Sequence, residues 1–317
     1  MKNVSLTERL NDAIERVGPM MGPALTNLLL HGPLNRDLIS DENYTTLEDR
    51  ANSLEDCYYR HVFPKVGEVA RVLTKSKLAL PNNSRKLDAC FIRKTSEQIR
   101  QKFRNSYRNQ FELDDTTKSA LFSDEKICNR YGKKLKYFFD DKNGFIISKR
   151  YKEPDKMAEK YAIKFDKLNG NERDTFLNFV VDIAENNYAS WSNYNDHLKL
   201  YGENSMEMML GDIFGIKIND MNQKRAEENM ERLAKIGPSI KFPNFVVVGK
   251  LFEDHRKRNK KMRPGGIHYT LIDKSLPNYP VEIQIRSIKD GCFNLFGKCA
   301  HYLYSLSGKK ANDVYVN

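Results

Sequence analysis

Six residues constrain this chain more than any other stretch: Val281-Glu282-Ile283-Gln284-Ile285-Arg286. Successive side chains of a strand point to opposite faces. Val281, Ile283 and Ile285 therefore share one face, and β-branched residues in that pattern anchor a strand against a core. Glu282, Gln284 and Arg286 share the other face, so a carboxylate, an amide and a guanidinium project together. The same alternation also describes an ordinary amphipathic strand facing water, on which Glu282 and Arg286 would form an ion pair worth little. Both readings require a strand; they differ in whether its polar side is a site or a solvated surface.

The neighbouring sequence supplies partners for that strand. Asp212–Ile218 reads as a strand, Asn222–Lys235 as a polar-faced helix ending at Gly237-Pro238, and Phe245–Val248 as a buried strand. Ile267–Ile272 and Val281–Ile285 read as a strand pair joined by turn residues over Ser275–Pro280, and Phe293–Tyr304 as a helix. This order predicts an α+β fold, a mixed β-sheet flanked by helices. Upstream, from Leu6 to about Ile127, the pattern is mainly helical. Ser5-Leu6-Thr7-Glu8 forms a capping box ahead of Leu10, Ile14 and Val17 at helical spacing. Val66, Val69, Val72 and Leu73 suggest a second buried helical face, and Pro81-Asn82-Asn83-Ser84 a turn. The turn-like Asp140–Gly144 divides the chain into a helical region of unassigned role, 1–140, and a catalytic layer, 141–317.

Charge points to a polyanion partner. The 317 residues carry 53 Lys+Arg against 42 Asp+Glu, a net +11. The excess is uneven, with 22 basic against 12 acidic residues over 51–150 and 12 against 6 over 251–317. Arg256–Arg263 places six cations in eight residues, which would concentrate a nucleotide polyphosphate, RNA or an acidic membrane surface. A solvated basic loop is the plainer reading of the same run. Arg93–Phe111 mixes cations with Phe103, Tyr107 and Phe111, equally suited to a solvated helix face and to RNA. Apolar runs such as Ala24–Leu30 are too short to span a membrane, which takes about 18 or more residues. Five cysteines without a Cys-x-x-Cys pattern indicate neither a disulfide framework nor a zinc knuckle. With no secretory leader at Met1–Ser5, the expectation is a soluble cytoplasmic protein, with delivery into another cell by a signal-less route left open.

Two further elements carry chemistry. Asp212 opens the strand Asp212-Ile213-Phe214-Gly215-Ile216-Lys217-Ile218; with Glu282 it makes the carboxylate pair that Mg²⁺ prefers when phosphate oxygens complete the shell. Alone, Asp212 would read as a cap or turn residue. Arg150 and Lys152 alternate just before a helix start at Pro154, with Lys160 further along that helix, a pattern suited to polyphosphate.

Taken in order, these pieces resemble the RelA/SpoT synthetase family, the alarmone-making pyrophosphokinases. The family's closing Val-Glu-Ile-Gln-Ile-Arg-Thr resembles Val281–Ser287, and its later Ala-His-aromatic element resembles Ala300-His301-Tyr302. Its Asp-Ile-x-Gly-Ile-Arg-Val resembles Asp212–Ile218, and its Gly-Arg-x-Lys-Ser-Pro resembles Lys149–Pro154, with a family Lys at the offset of Lys160. Asp254-His255 falls where the family has Asp-Tyr, and Ile267-His268-Tyr269 on its Leu-His segment. The resemblance covers about residues 145–305 and implies a nucleotidyltransferase-like synthetase domain. It also implies a reaction, transfer of the β,γ-pyrophosphate of ATP to a ribose 3′-hydroxyl with Mg²⁺ as cofactor, as in (p)ppGpp synthesis. The resemblance makes Glu282, Asp212 and Gln284 the catalytic group: Glu282 activates the hydroxyl and touches Mg²⁺, and Asp212 is the main metal carboxylate. Arg150 and Lys217 bracket adenine, while Lys152 and Lys160 steady the ATP phosphates. Gln284, His268 and Lys260 address the acceptor, and Arg286 braces the strand or a phosphate. His301 reads equally well as a helix histidine packed under the sheet.

Departures from the family pattern bear on the acceptor. The family's Asn-Gly-Tyr-x-Ser-Leu-His is Met262-Arg263-Pro264-Gly265-Gly266-Ile267-His268 here, so Pro264 stands where the acceptor-stacking Tyr would be. Lys217 replaces an Arg whose planar guanidinium stacks on adenine. About 60 residues separate Arg150 from Asp212; either Asn169–Asn204 is an insertion with Trp191, Tyr194 and Tyr201, or the Arg150 match is accidental. Asp196-His197 and Asp254-His255 are reversed relative to a His-Asp pair, so the family's hydrolase module is not visible. A guanosine nucleotide, an adenosine nucleotide and the 3′ end of tRNA, as in toxic relatives, remain as acceptors. A catalytically degenerate RNA- or partner-binding module is the alternative of a different class. A third is a toxin whose N-terminal helices bind a chaperone, antitoxin or other regulatory partner.

Overall fold

The alternating stretch lies in a strand at the centre of the sheet. The computed structural model describes residues 4–18, 21–32, 34–75, 136–140, 144–152, 154–186, 213–248, 253–254, 265–287 and 290. The helices α1 (Leu6–Val17), α2 (Pro23–His31), α3 (Asn35–Leu38) and α4 (Asp41–Cys57) lead through a π-helical turn (Tyr58–Val62) into α5 (Phe63–Thr74). Strands β1 (Lys136–Asp140) and β2 (Phe145–Tyr151) precede helices α6 (Pro154–Phe165) and α7 (Gly170–Asn186). Then come β3 (Phe214–Asp220), α8 (Gln223–Ile236), β4 (Phe245–Val247), β5 (Glu253–Asp254), β6 (Ile267–Asp273) and β7 (Leu276–Ser287). The seven described strands form one sheet in the order β1-β2-β3-β7-β6-β4, with β5 beside β6. β3 and β7 run parallel and the other described pairs antiparallel. The fold is α+β, a mixed sheet with helices and a helical N-terminal region.

Local sequence accounts for most boundaries. The capping box of α1 forms in both directions: the Glu8 N–H donates to Ser5 Oγ at 3.2 Å and the Ser5 N–H to Glu8 Oε2 at 2.8 Å. Asn222 caps α8 by accepting from the Arg225 N–H at 3.0 Å. Gly237, at φ 54°, ends that helix in a conformation a β-carbon would oppose. Pro154 starts α6, where its missing N–H costs nothing. On α5, Val66, Val69 and Leu73 are buried as expected, but Val72 is 44% exposed because it falls outside the stripe they define.

Two strands differ from their expected limits. β3 starts two residues later than expected and continues to Asp220. Its ladders run to Phe145↔Asp220 on one side and Asp220↔Ser287 on the other, which keeps Asn219 and Asp220 extended. β7 begins at Leu276, so the turn expected over Ser275–Pro280 is only Lys274-Ser275. Pro277 and Pro280 are tolerated there because β3 pairs with β7 from Val281 onward, so the earlier residues have no β3 ladder to complete. A register shift between Ile272 and Asp273 takes up the extra β7 residues. The expected boundary at 140–144 falls between two neighbouring strands of the same sheet, Asp140 of β1 pairing with Phe145 of β2; residues 141–143 lie outside the described residues. The expected turn at 81–84, the basic helix at 93–111, the aromatic residues 191, 194 and 201 and the helix at 293–304 lie outside the described residues.

The apolar face of the sheet is closed by helices from both ends of the chain. Phe214, Ile216 and Ile218 of β3, Val281, Ile283 and Ile285 of β7, and Ile267, Tyr269 and Leu271 of β6 are all buried. Fully burying one such aliphatic side chain contributes roughly 1.5–3 kcal/mol relative to exposure. Tyr58 stacks on Phe214 at 3.8 Å between centroids and 9° between planes. Arg50 donates to the Tyr279 hydroxyl at 2.9 Å. Lys65 reaches Asp273 at 2.5 Å and Ser275 Oγ at 2.9 Å, gripping the β6–β7 turn. Further along the same face, the Tyr269 hydroxyl donates to the Leu233 carbonyl of α8 at 3.5 Å. Burial pushes the Tyr269 phenol up to about 12, with Arg232 opposing the shift, so it serves the core as a neutral group. α8 in turn meets α5, Arg232 donating to the Leu73 carbonyl at 2.5 Å. No described helix is long and apolar enough to cross a membrane.

Candidate active site on the polar face of the sheet

Strand register assembles the opposite face row by row. Lys217 of β3 pairs with Gln284 of β7, which pairs with His268 of β6. One row back, Gly215 pairs with Glu282 and Glu282 with Thr270. One row forward, Asn219 pairs with Arg286. Position 150 of β2 falls opposite Gly215 and so joins the Glu282 row. Cross-strand partners share a face, so Glu282, Gln284, Arg286, His268 and Lys217 come together although up to 69 positions separate them in sequence.

These polar side chains are not solvated. Arg286 is 3% exposed and Gln284 9%, while the Glu282 and His268 side chains are each 19% exposed. A guanidinium that deep needs acceptors. Arg286 Nη2 donates to Gln284 Oε1 and lies 3.3 Å from His268 Nε2. Gln284 Nε2 donates to Glu282 Oε2 at 2.8 Å. His268 Nδ1 faces the other carboxylate oxygen, Glu282 Oε1, at 3.5 Å. The four side chains form a closed ring with Arg286 and Glu282 at opposite ends.

Gly266 and Asp290 frame the ring. A β-carbon at Gly266 would stand 3.1 Å from the Ile285 carbonyl oxygen, a tight approach to the β7 backbone, and in ordinary contact with Arg286 Cβ at 3.5 Å. Asp290 accepts from the Gly265 N–H at 3.1 Å and from Ser287 Oγ at 2.6 Å, tying the start of β6 to the end of β7. Asn219 is 6% exposed, and its Oδ1 has no hydrogen-bond partner among the described residues. Sequence reasoning missed all three. Asn219 was within reach, since it lies one strand period after Lys217. Gly266 acquires its role from β7, about 20 positions away, with no local signal. Asp290 carries a local one, the Ser-x-x-Asp spacing by which Ser287 Oγ accepts from the Asp290 N–H at 3.1 Å, while its reach to Gly265 is long-range.

The remaining expected site residues divide. Lys152 follows β2, where its N–H donates to the Ile213 carbonyl at 2.7 Å, and Lys160 lies on α6; both side chains are partly buried. Asp212, Lys260, His301 and the Arg256–Arg263 run lie outside the described residues. Among the described residues no group of three or more His, Cys, Asp or Glu is placed to hold a metal ion. Glu282 supplies the hard carboxylate oxygen that one position in a Mg²⁺ shell takes. A carboxylate held by two oriented groups at the edge of a mostly buried polar layer can accept a proton from a bound hydroxyl. A scan of protein-family models found none that matches this chain, and a search of curated proteins found no match either.

Proposed function

We propose that this chain is an ATP-dependent nucleotide pyrophosphokinase of RelA/SpoT type, with a nucleotidyltransferase-like catalytic half. The observation that carries the reading is the Glu282–Gln284–Arg286–His268 ring on one face of the central strand, with Lys217 in the adjacent strand. An amphipathic strand facing water has no reason to bury its guanidinium and amide to 3% and 9% exposure.

In this reading Glu282 takes the proton of the acceptor's 3′-hydroxyl. The freed oxygen pair bonds to the β-phosphorus of ATP, and the bond from that phosphorus to the α,β-bridging oxygen breaks, so AMP leaves with its electron pair. Gln284 and His268 hold Glu282 and flank the acceptor. Lys217 and Arg150 take the adenine, while Lys152 and Lys160 take phosphate charge, together with Lys260 on the acceptor side. Mg²⁺, held by Glu282 and by Asp212 as the sequence pattern assigns it, would offset the charge of the phosphate oxygens. Pro264 in place of a stacking Tyr, next to the Arg256–Arg263 cations, favours an adenosine nucleotide or the tRNA 3′ end over a standard guanosine site.

The test is incubation with Mg²⁺ and ATP radiolabelled at its γ-phosphate, offered separately GDP/GTP, ADP/ATP and deacylated tRNA. Label is expected in one pool, which names the acceptor. Absence of label from every pool, with the protein folded, overturns the reading in favour of a binding module. If tRNA is the acceptor, replacing Lys260, Lys261 and Arg263 with Ala weakens labelling most at raised salt.

A further inference from the structure

The geometry points to Arg286 as a positioning residue that fixes the tautomer of His268 and thereby leaves Glu282 as the only proton acceptor of the ring. A guanidinium has donors and no acceptor, and it stays protonated in proteins. Arg286 Nη2 lies 3.3 Å from His268 Nε2, so that nitrogen must present its lone pair. The ring proton then sits on Nδ1, which faces Glu282 Oε1 at 3.5 Å. The second Nη2 hydrogen goes to Gln284 Oε1, which turns the amide so that Nε2 donates to Glu282 Oε2 at 2.8 Å. One nitrogen of Arg286 thus orients two donors toward the two oxygens of one carboxylate.

The arrangement separates two roles that a His–Glu pair otherwise leaves open. A histidine acting as general base needs a lone pair open to substrate. The lone pair of His268 is occupied by a cation, and protonating Nε2 would set donor against donor beside Arg286. His268 is therefore an orienting donor, and a proton leaving a bound hydroxyl goes to Glu282. The proton-acceptor role of Glu282 rests on the pyrophosphokinase reading; the tautomer does not.

The test is long-range ¹H–¹⁵N correlation NMR of the full chain with labelled histidine, the His268 ring being identified by the signal lost in His268→Asn. The expected result at neutral pH is a single Nδ1–H tautomer, with Nε2 resonating as an unprotonated nitrogen. An Nε2–H tautomer or an imidazolium in the folded wild type overturns the proposal, whatever the enzyme does. Arg286→Met is expected to convert the single tautomer to a mixture. If that variant does not fold, the wild-type spectrum still decides. A kinetic arm separates the roles: Asn can present an amide N–H where Nδ1–H stood, so His268→Asn should retain at least 10-fold more transfer than His268→Ala. Equal loss in both, with the expected tautomer observed, would remove the donor role while leaving the pyrophosphokinase reading in place.

Discussion

The two faces of β7 are built from alternate residues of one segment and are held by different forces. Val281, Ile283 and Ile285 are 0–3% exposed and rest on a core that draws helices from both the N-terminal region and the C-terminal half. Glu282, Gln284 and Arg286 face the other way and are also largely removed from water, yet hydrogen bonds rather than packing hold them. The difference teaches that alternation identifies the strand but does not say whether the polar side is wet. Packing tolerates exchange of one aliphatic residue for another of similar volume. A closed polar ring tolerates far less, because each lost member leaves a buried group unmatched.

Substitutions can break this comparison from either side. The largest stability loss is expected for Tyr58→Ala, about 3–5 kcal/mol, because it empties the stack that joins the N-terminal helices to β3. Ile283→Ala should cost about 2–5 kcal/mol, read from chemical denaturation as a lower midpoint with unchanged slope. Gln284→Ala should cost about 1–3 kcal/mol, since it strands donor and acceptor atoms on both neighbours. A change within about 0.5 kcal/mol at Gln284 would mean the polar face is an ordinary solvated one. Tyr58→Phe is expected to have the smallest effect, neutral or slightly stabilising, because the Tyr58 hydroxyl is buried without a hydrogen-bond partner among the described residues. A loss of more than about 1 kcal/mol there would reveal a partner for that hydroxyl.

Local patterns were legible in the sequence. The Ser5–Glu8 capping box, the Asn222 cap and Gly237 stop of α8, and the alternation at 281–286 each depend on residues a few positions apart. The face shared by Glu282, Gln284 and Arg286 followed from strand geometry alone. Long-range pairing was less legible. Nothing near Pro277 or Pro280 says that β7 extends through them, because the reason lies in where β3 begins to pair. The contact of Asp290 with Gly265 and that of Tyr58 with Phe214 depend on the folded chain and not on spacing. The helical region carries no assigned role in the sequence because its apolar residues bear no mark of what they pack against, whereas in the fold its Tyr58, Arg50 and Lys65 grip strands of the sheet that carries the ring.

The most direct measurement compares wild type with Glu282→Gln for both pyrophosphate transfer from ATP and free energy of unfolding. Gln at 282 keeps the size of the side chain and removes the base, so transfer should fall by about 100-fold or more. Unfolding free energy should fall by about 1–3 kcal/mol with the protein still folded, because the Gln amide N–H meets one of the two ring donors. Equal transfer by the two folded proteins would contradict the account.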